Sequence, residues 1–260
     1  MPRLARARAL RPGESIGIAA PAARVDAERL DDCERVLHEL GWATRRCGDP
    51  TAACGYFAGD DERRLRELED LLADDRVGAI VCVRGGYGCH RYVDRLDAAL
   101  FRRARKPIVG YSDVTTLLLW QRRAAGLTGV HGPMLERGGE AHRAVLAETL
   151  ALVTGATPAP FEGTGEVGGR AEGRLVGGSL TLVAASLGTP WEIDTRDAIL
   201  LLEDIGEPPF RIDRMMQSLR VAGKLDACAG IGVGAMVACD DPRFPDWKAE
   251  GIIRELAEAH

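Results

Sequence analysis

Several features that would assign the chain to a class are missing from it. No apolar run approaches the length of a bilayer span, and the longest, Val77 to Val83 and Gly230 to Cys239, suit core strands. There is no excess of positive charge: the 260 residues carry a formal net charge of -5, which gives no electrostatic footprint for nucleic acid or an anionic membrane. Seven cysteines, an odd number, are scattered and never in C-x-x-C spacing, a pattern that fits a reducing, cytoplasmic compartment and no zinc site. No cluster of histidine, cysteine and carboxylate has ligand spacing, and neither a P-loop nor a G-x-G-x-x-G fingerprint occurs. No metal and no cofactor is therefore expected, and a small molecule or peptide is the expected partner.

The residues that are present, 46% hydrophobic and 28% charged, suffice for a large core and two domains. Arg3, Arg6, Arg8 and Arg11 precede any acid and read as a frayed basic tail. Strand and helix then alternate. Ser15 to Ala20 reads as a strand, Asp26 as a cap, and Leu30, Cys33, Leu37 and Leu40 as one helix face ended by Gly41. A strand over Ala43 to Cys47, a helix over Asp60 to Ala73 and a strand over Ala79 to Val83 follow. This alternation predicts an α/β fold with a parallel sheet.

At the end of the third strand stands Arg84-Gly85-Gly86-Tyr87-Gly88-Cys89, a glycine-rich loop at the end of a parallel strand where such sheets bind ligands; it reads equally as a tight turn. The next strand ends in Ile108-Val109-Gly110, and Val114, Leu117 and Leu118 begin a helical stripe, so Ser112 lies where strand becomes helix. Taken alone, the stretch reads first as a helix cap at Ser112 or Asp113 and second as a nucleophile elbow. Thr128 to His131 is a further strand, and about His142 to Val153 a helix.

From Thr154 to Gly178 the composition turns to Gly, Pro, Thr and Ala, which marks a linker between domains at 1–157 and 158–260. In the second domain Glu172 to Val176 reads as a strand, and Gly177-Gly178-Ser179 as the opening of a helix through Leu187. The apolar run Ala198 to Leu202 reads as a buried strand delivering Glu203, Asp204 and Glu207 at its end. A helix from Pro208-Pro209 with Ile212, Met215, Met216 and Leu219 facing inward, a strand over Gly230 to Cys239 and a helix over Pro245 to Ala259 complete it.

Four segments fall in an order that one family shares: Arg84 to Gly88, Gly110-Tyr111-Ser112-Asp113, His131-Gly132-Pro133-Met134, and Gly177-Gly178-Ser179-Leu180 through Gly188-Thr189-Pro190 to Leu202-Glu203-Asp204. Together they resemble the LD-carboxypeptidases, serine peptidases that include muramoyltetrapeptide carboxypeptidase and the microcin C immunity proteins. The resemblance implies an N-terminal parallel-sheet domain of flavodoxin or class I amidotransferase type and a smaller C-terminal α/β domain. It makes Ser112 the nucleophile, Glu203 the carboxylate that orients a histidine, and the backbone N–H groups of Gly86 and Asp113 the oxyanion hole. Read without it, Glu203 is a solvated strand end or a partner of Arg211 or Arg214. The implied substrate is a murein tetrapeptide cut before its terminal D-alanine, and the implied assembly a homodimer. Arg84 or Arg211 would bind the free carboxylate. A microcin-type nucleotide is the alternative substrate, with Trp191 stacking on its base or packing in the cleft wall. The site is expected where the two domains face each other.

One part of the family pattern is not matched. The third catalytic residue is a histidine in a Gly-His-Gly-like segment, and His260 ends a helical Glu-Leu-Ala-Glu-Ala run without that context. Of the others, His38, His90 and His142 read as surface, loop or capping residues, and His131 is the best substitute. An inactive, peptide-binding relative is therefore the third reading.

Overall fold

The computed structural model describes residues 4–135, 140–160 and 162–259, so Arg3 and His260 lie outside the described residues. The chain divides into two compact units, Met1–Ala159 and Pro160–His260.

In the first unit β1 (Ser15–Ala19), β2 (Thr44–Arg46), β3 (Val77–Cys82), β4 (Ile108–Gly110) and β5 (Val130–His131) form one sheet in the order β2-β1-β3-β4-β5. All its neighbouring strands are parallel. Every residue of β3 is buried, which is why its sequence is a continuous apolar run rather than an alternation. The strand order reverses between β1 and β3, so the chain leaves their carboxyl ends in opposite directions and opens a crevice there.

The connecting helices begin where side chains satisfy their first amides. Asp26 accepts from Arg29 N at 2.9 Å ahead of α1 (Ala27–Glu39), and Asp60 from Arg63 N at 2.7 Å ahead of α2 (Asp61–Ala73). At the other end of α2 the buried Lys106 ammonium donates to the carbonyls of Leu71, Leu72 and Asp74, at 3.0, 2.7 and 2.7 Å. A cation thus takes up the carbonyls that the helix leaves unpaired. Leu30 and Leu37 of α1 and Leu146 and Leu150 of α5 (Glu140–Val153) pack on Ile16, Ile18 and Val81 in one core. Burial of each such side chain contributes roughly 1.5–3 kcal/mol. A short helix, α3 (Ala98–Ala104), buries Phe101 edge-on against Trp120 of α4 (Val114–Trp120), with ring centroids 4.9 Å apart.

The N-terminal segment is not frayed. Ala5 N donates to Gly126 O at 2.8 Å, Thr128 N to Ala5 O at 3.0 Å, and Arg8 pairs with Glu14 at 2.8 Å. The Arg8 side chain, helped by the Arg11 N–H, holds the Glu14 carboxyl below its usual pKa.

The second unit holds β6 (Arg174–Ser179), β7 (Ala198–Ile205) and β8 (Gly230–Val237), parallel throughout in that order, with α6 (Leu180–Ala185), α7 (Pro209–Val221) and α8 (Ala249–Glu258). Between Val153 and Arg174 no described residue is helix or strand. Relative to the sequence expectation α6 ends at Ala185 and α8 begins at Ala249, and β6 and β7 differ more substantially. Gly177, Gly178 and Ser179 continue β6 instead of opening the helix. Gly177 has φ 137°, and a Cβ on it would lie 1.8 Å from Leu201 O, so only glycine lets β6 run this close to β7. Likewise β7 continues to Ile205, so Glu203 and Asp204 are strand residues rather than residues beyond its end. Buried and half-buried positions alternate along it, which gives Glu203 and Asp204 opposite faces.

Candidate active site

Ser112 follows β4 and precedes α4 in the left-handed backbone region, with φ 57°. A serine held there costs on the order of 1–3 kcal/mol, and such strain collects at functional turns. The turn is this tight because Gly110 has no side chain: a Cβ there would lie 2.7 Å from Val114 Cγ1. Asp113, at the cap position of α4, makes no side-chain cap bond. Its carboxylate instead accepts the Cys89 N–H at 2.8 Å, 24 residues back in the chain. The helix-cap reading of this stretch therefore does not describe the Asp113 side chain.

Strands β3 and β4 are neighbours, so the loop after β3 runs beside the Ser112 turn. Gly85 is in contact with it: a Cβ on Gly85 would lie 2.9 Å from Ser112 Cβ and 3.0 Å from Ser112 Oγ. Gly86 is exposed, with φ 101°. Among the described residues, no backbone hydrogen bond takes up the N–H of Gly86 or of Asp113. A hydroxyl on a strained turn beside two such amides can attack an acyl carbon and hold the oxyanion formed.

The floor of this loop is built from buried polar groups that the motif reading did not single out. Arg64 is fully buried and lies over the rings of Phe57 and Tyr92, at 4.7 and 5.1 Å from their centroids. It fills the place a side chain on Gly88 would need. Tyr92 donates its hydroxyl to Pro21 O at 3.0 Å. Glu67 accepts the Ala20 N–H at 2.7 Å and pairs with Arg63; burial lifts its pKa to about 7. Burial also raises the Asp113 pKa, against the Cys89 N–H, and drives the Cys89 thiol well above its ordinary value.

The other expected site residues fall as follows. Arg84 is exposed and donates to Arg24 O at 3.1 Å. His131 pairs in register with Gly110 at the carboxyl edge of the sheet, edge-on to Tyr111 at 6.3 Å. In the second unit Glu203 stands at a bulge: Leu202 faces Val233 but Asp204 faces Met236, so β8 has one extra residue here. Bulges re-aim side chains. Gly234 makes room for it, since a Cβ there would lie 3.2 Å from Glu203 Cβ. A glycine inside a strand is the sequence signal that points to such a bulge. Asp204, on the buried face, accepts from Thr181 N at 2.7 Å and Ser179 Oγ at 3.4 Å, and so ties the Gly-Gly-Ser and Leu-Glu-Asp segments together. Arg211 pairs with Glu207 at 2.8 Å, Arg214 lies over Phe210, and Trp191 is 6% exposed. Among the described residues no group of His, Cys, Asp and Glu could hold a metal ion, and no helix is long and apolar enough to cross a membrane.

Comparison with known proteins gives a consistent result. The family model for the LD-carboxypeptidase N-terminal domain matches residues 16–132, and that for the LD-carboxypeptidase C-terminal domain matches residues 172–260. The chain is 39% identical over 234 residues to a probable murein peptide carboxypeptidase of Bacillus subtilis, covering 86% of this chain and 72% of that protein. It is 30% identical over 237 residues to the murein tetrapeptide carboxypeptidase of Pseudomonas aeruginosa, covering 86% and 77%. The crystal structure of muramoyltetrapeptide carboxypeptidase from Oxalobacter formigenes matches with a TM-score of 0.85 at 27% identity, over 94% of this chain and 84% of that one. The microcin C7 self immunity protein shares the fold, with a TM-score of 0.85 at 19% identity over 99% and 87%.

Proposed function

Because the chain belongs to the LD-carboxypeptidase family, we propose that it is a serine-type peptidase that releases the terminal D-alanine of murein tetrapeptides, in the cytoplasm and as a homodimer. Ser112 Oγ attacks the carbonyl of the diamino acid, and the N–H groups of Gly86 and Asp113 hold the oxyanion. The tetrahedral species collapses, D-alanine leaves with a proton, and the peptide remains as an ester on Ser112 until water hydrolyses it. The proton passes through an imidazole that Glu203 orients. No histidine of the 260 residues has the Gly-His-Gly context of the family, and His131, in register with Gly110, is the best substitute among them. Arg84 or Arg211 binds the substrate's free carboxylate.

The observation that carries the reading is the left-handed Ser112, φ 57°, in contact with the glycine-rich loop. Nothing in a plain helix cap requires that strain. Mass spectrometry of D-alanine release from L-Ala-γ-D-Glu-diamino acid-D-Ala tests it, with Ser112→Ala, Glu203→Gln and His131→Ala beside the wild type. Release abolished in Ser112→Ala and lowered at least ~10³-fold in Glu203→Gln is expected. Release that survives Ser112→Ala refutes the nucleophile. Cleavage of an aminoacyl sulfamoyl nucleotide but not of the tetrapeptide would move the substrate to the microcin type, with Trp191 as the stacking side chain. Unchanged KM in both Arg84→Ala and Arg211→Ala would refute the carboxylate assignment.

A further inference from the structure

The two oxyanion donors of the proposed site lie on separate segments, and their spacing must hold to a few tenths of an ångström for both to reach one oxygen. Strand pairing does not secure it. The β3–β4 register ends with Val81 opposite Val109, well before Gly86 and Ser112. Beyond it the loop contains Gly86 and Gly88, with φ of 101° and 155°, residues that by themselves leave a backbone free to move.

One polar link closes the gap. Asp113, 1% exposed, reaches from the turn to the N–H of the fully buried Cys89 at 2.8 Å, directly after the loop. From below, Arg64 fills the space under Gly88, and Ala23 N donates to Gly85 O at 3.0 Å. The loop is therefore fixed at both flanks, and one of the fixing groups sits on the residue that supplies the second donor. A buried carboxylate in a desolvated place costs stability unless it is bonded, so its presence calls for a role beyond packing.

Resting on the serine-peptidase reading, we propose that the Asp113 side chain is a positioning residue: its bond to the Cys89 amide sets the separation of the Gly86 and Asp113 N–H groups. Backbone and side chain of one residue then do different work, the first on the oxyanion and the second on the loop carrying its partner donor.

The test compares Asp113→Ala with Asp113→Asn, since the Asn carbonyl oxygen can still accept from Cys89 N–H. The alanine variant should lose ~10²-fold in kcat with KM within ~3-fold of wild type, and the asparagine variant should stay within ~5-fold in both. Amide hydrogen exchange over residues 84–92 should speed up at least ~10-fold in Asp113→Ala and stay at wild-type rate in Asp113→Asn. The exchange experiment reads the link whether or not the chain releases D-alanine, so failure of the peptidase reading and failure of this inference are separable. Wild-type exchange in Asp113→Ala, or an asparagine variant as impaired as the alanine one, would overturn it. If Asp113→Ala does not fold, wild-type exchange and kcat in Asp113→Asn support the link, and faster exchange there refutes it.

Discussion

Gly85→Ala is the sharpest perturbation that the site geometry offers. The added Cβ would stand 2.9 Å from Ser112 Cβ, 3.0 Å from Ser112 Oγ and 3.3 Å from Met134 Cε. The first distance is about 0.6 Å short of the ~3.5 Å at which carbon contacts become attractive, so the serine or the loop must give by about that much. Gly85 has no positive φ that would strain an alanine. Overpacking of this size costs roughly 1–3 kcal/mol and should lower the unfolding midpoint by roughly 2–10 °C. A reacting atom displaced by about half an ångström or more should lose ~10- to 100-fold in kcat. Steady-state D-alanine release and a thermal melt on the same preparation measure both. Gly251→Ala is the control. It lies in α8 with nothing within 4 Å of a Cβ, and should gain ~0.5–1 kcal/mol with activity unchanged. A folded Gly85→Ala protein whose kcat stays within twofold of wild type would refute the contact argument.

Further outcomes follow from buried groups elsewhere. Lys106→Met removes the ammonium from three carbonyls at the end of α2 and should destabilise the protein by roughly 2–3 kcal/mol in urea unfolding, with the first unit affected. Glu67, lifted from 4.5 to about 7 by burial, binds more protons folded than unfolded across that interval. Its contribution is therefore complete below about pH 4.5 and declines as pH rises through 7, by on the order of 3 kcal/mol. Unfolding midpoints measured from pH 4.5 to 8 should fall less steeply in Glu67→Gln. Gly177→Ala, with its Cβ against Leu201 O, should cost more than ~3 kcal/mol and abolish the cooperative melt of the second unit.

How far the residues themselves announced this arrangement depends on the range of the interaction concerned. Asp26 was legible as a cap because capping acts over three residues, and β3 because six buried positions in a row leave a continuous apolar run. The α/β class and the place of Ser112 follow from such local patterns. Gly177-Gly178-Ser179 misleads because glycine pairs also open helices, whereas here glycine answers to the Leu201 carbonyl of another strand. β7 runs past Leu202 because Glu203 and Asp204 alternate faces, which an apolar run does not reveal. The N-terminal arginines resemble a loose tail until Glu14 is seen to hold Arg8. Asp113 with Cys89, and Arg64 under Gly88, join ordinary residues 24 positions apart in each case, and no spacing rule links them. α3 escapes notice because seven residues with one buried aromatic carry too little periodicity.

The central claim is that Ser112 forms an ester with the substrate's acyl group. Brief incubation with tetrapeptide, acid quench and peptide mapping by mass spectrometry test it directly. The account predicts a single added mass equal to the tripeptide acyl group, on the fragment containing Ser112 and absent from Ser112→Ala. D-alanine released with the adduct on another residue, or still released by Ser112→Ala, would contradict it.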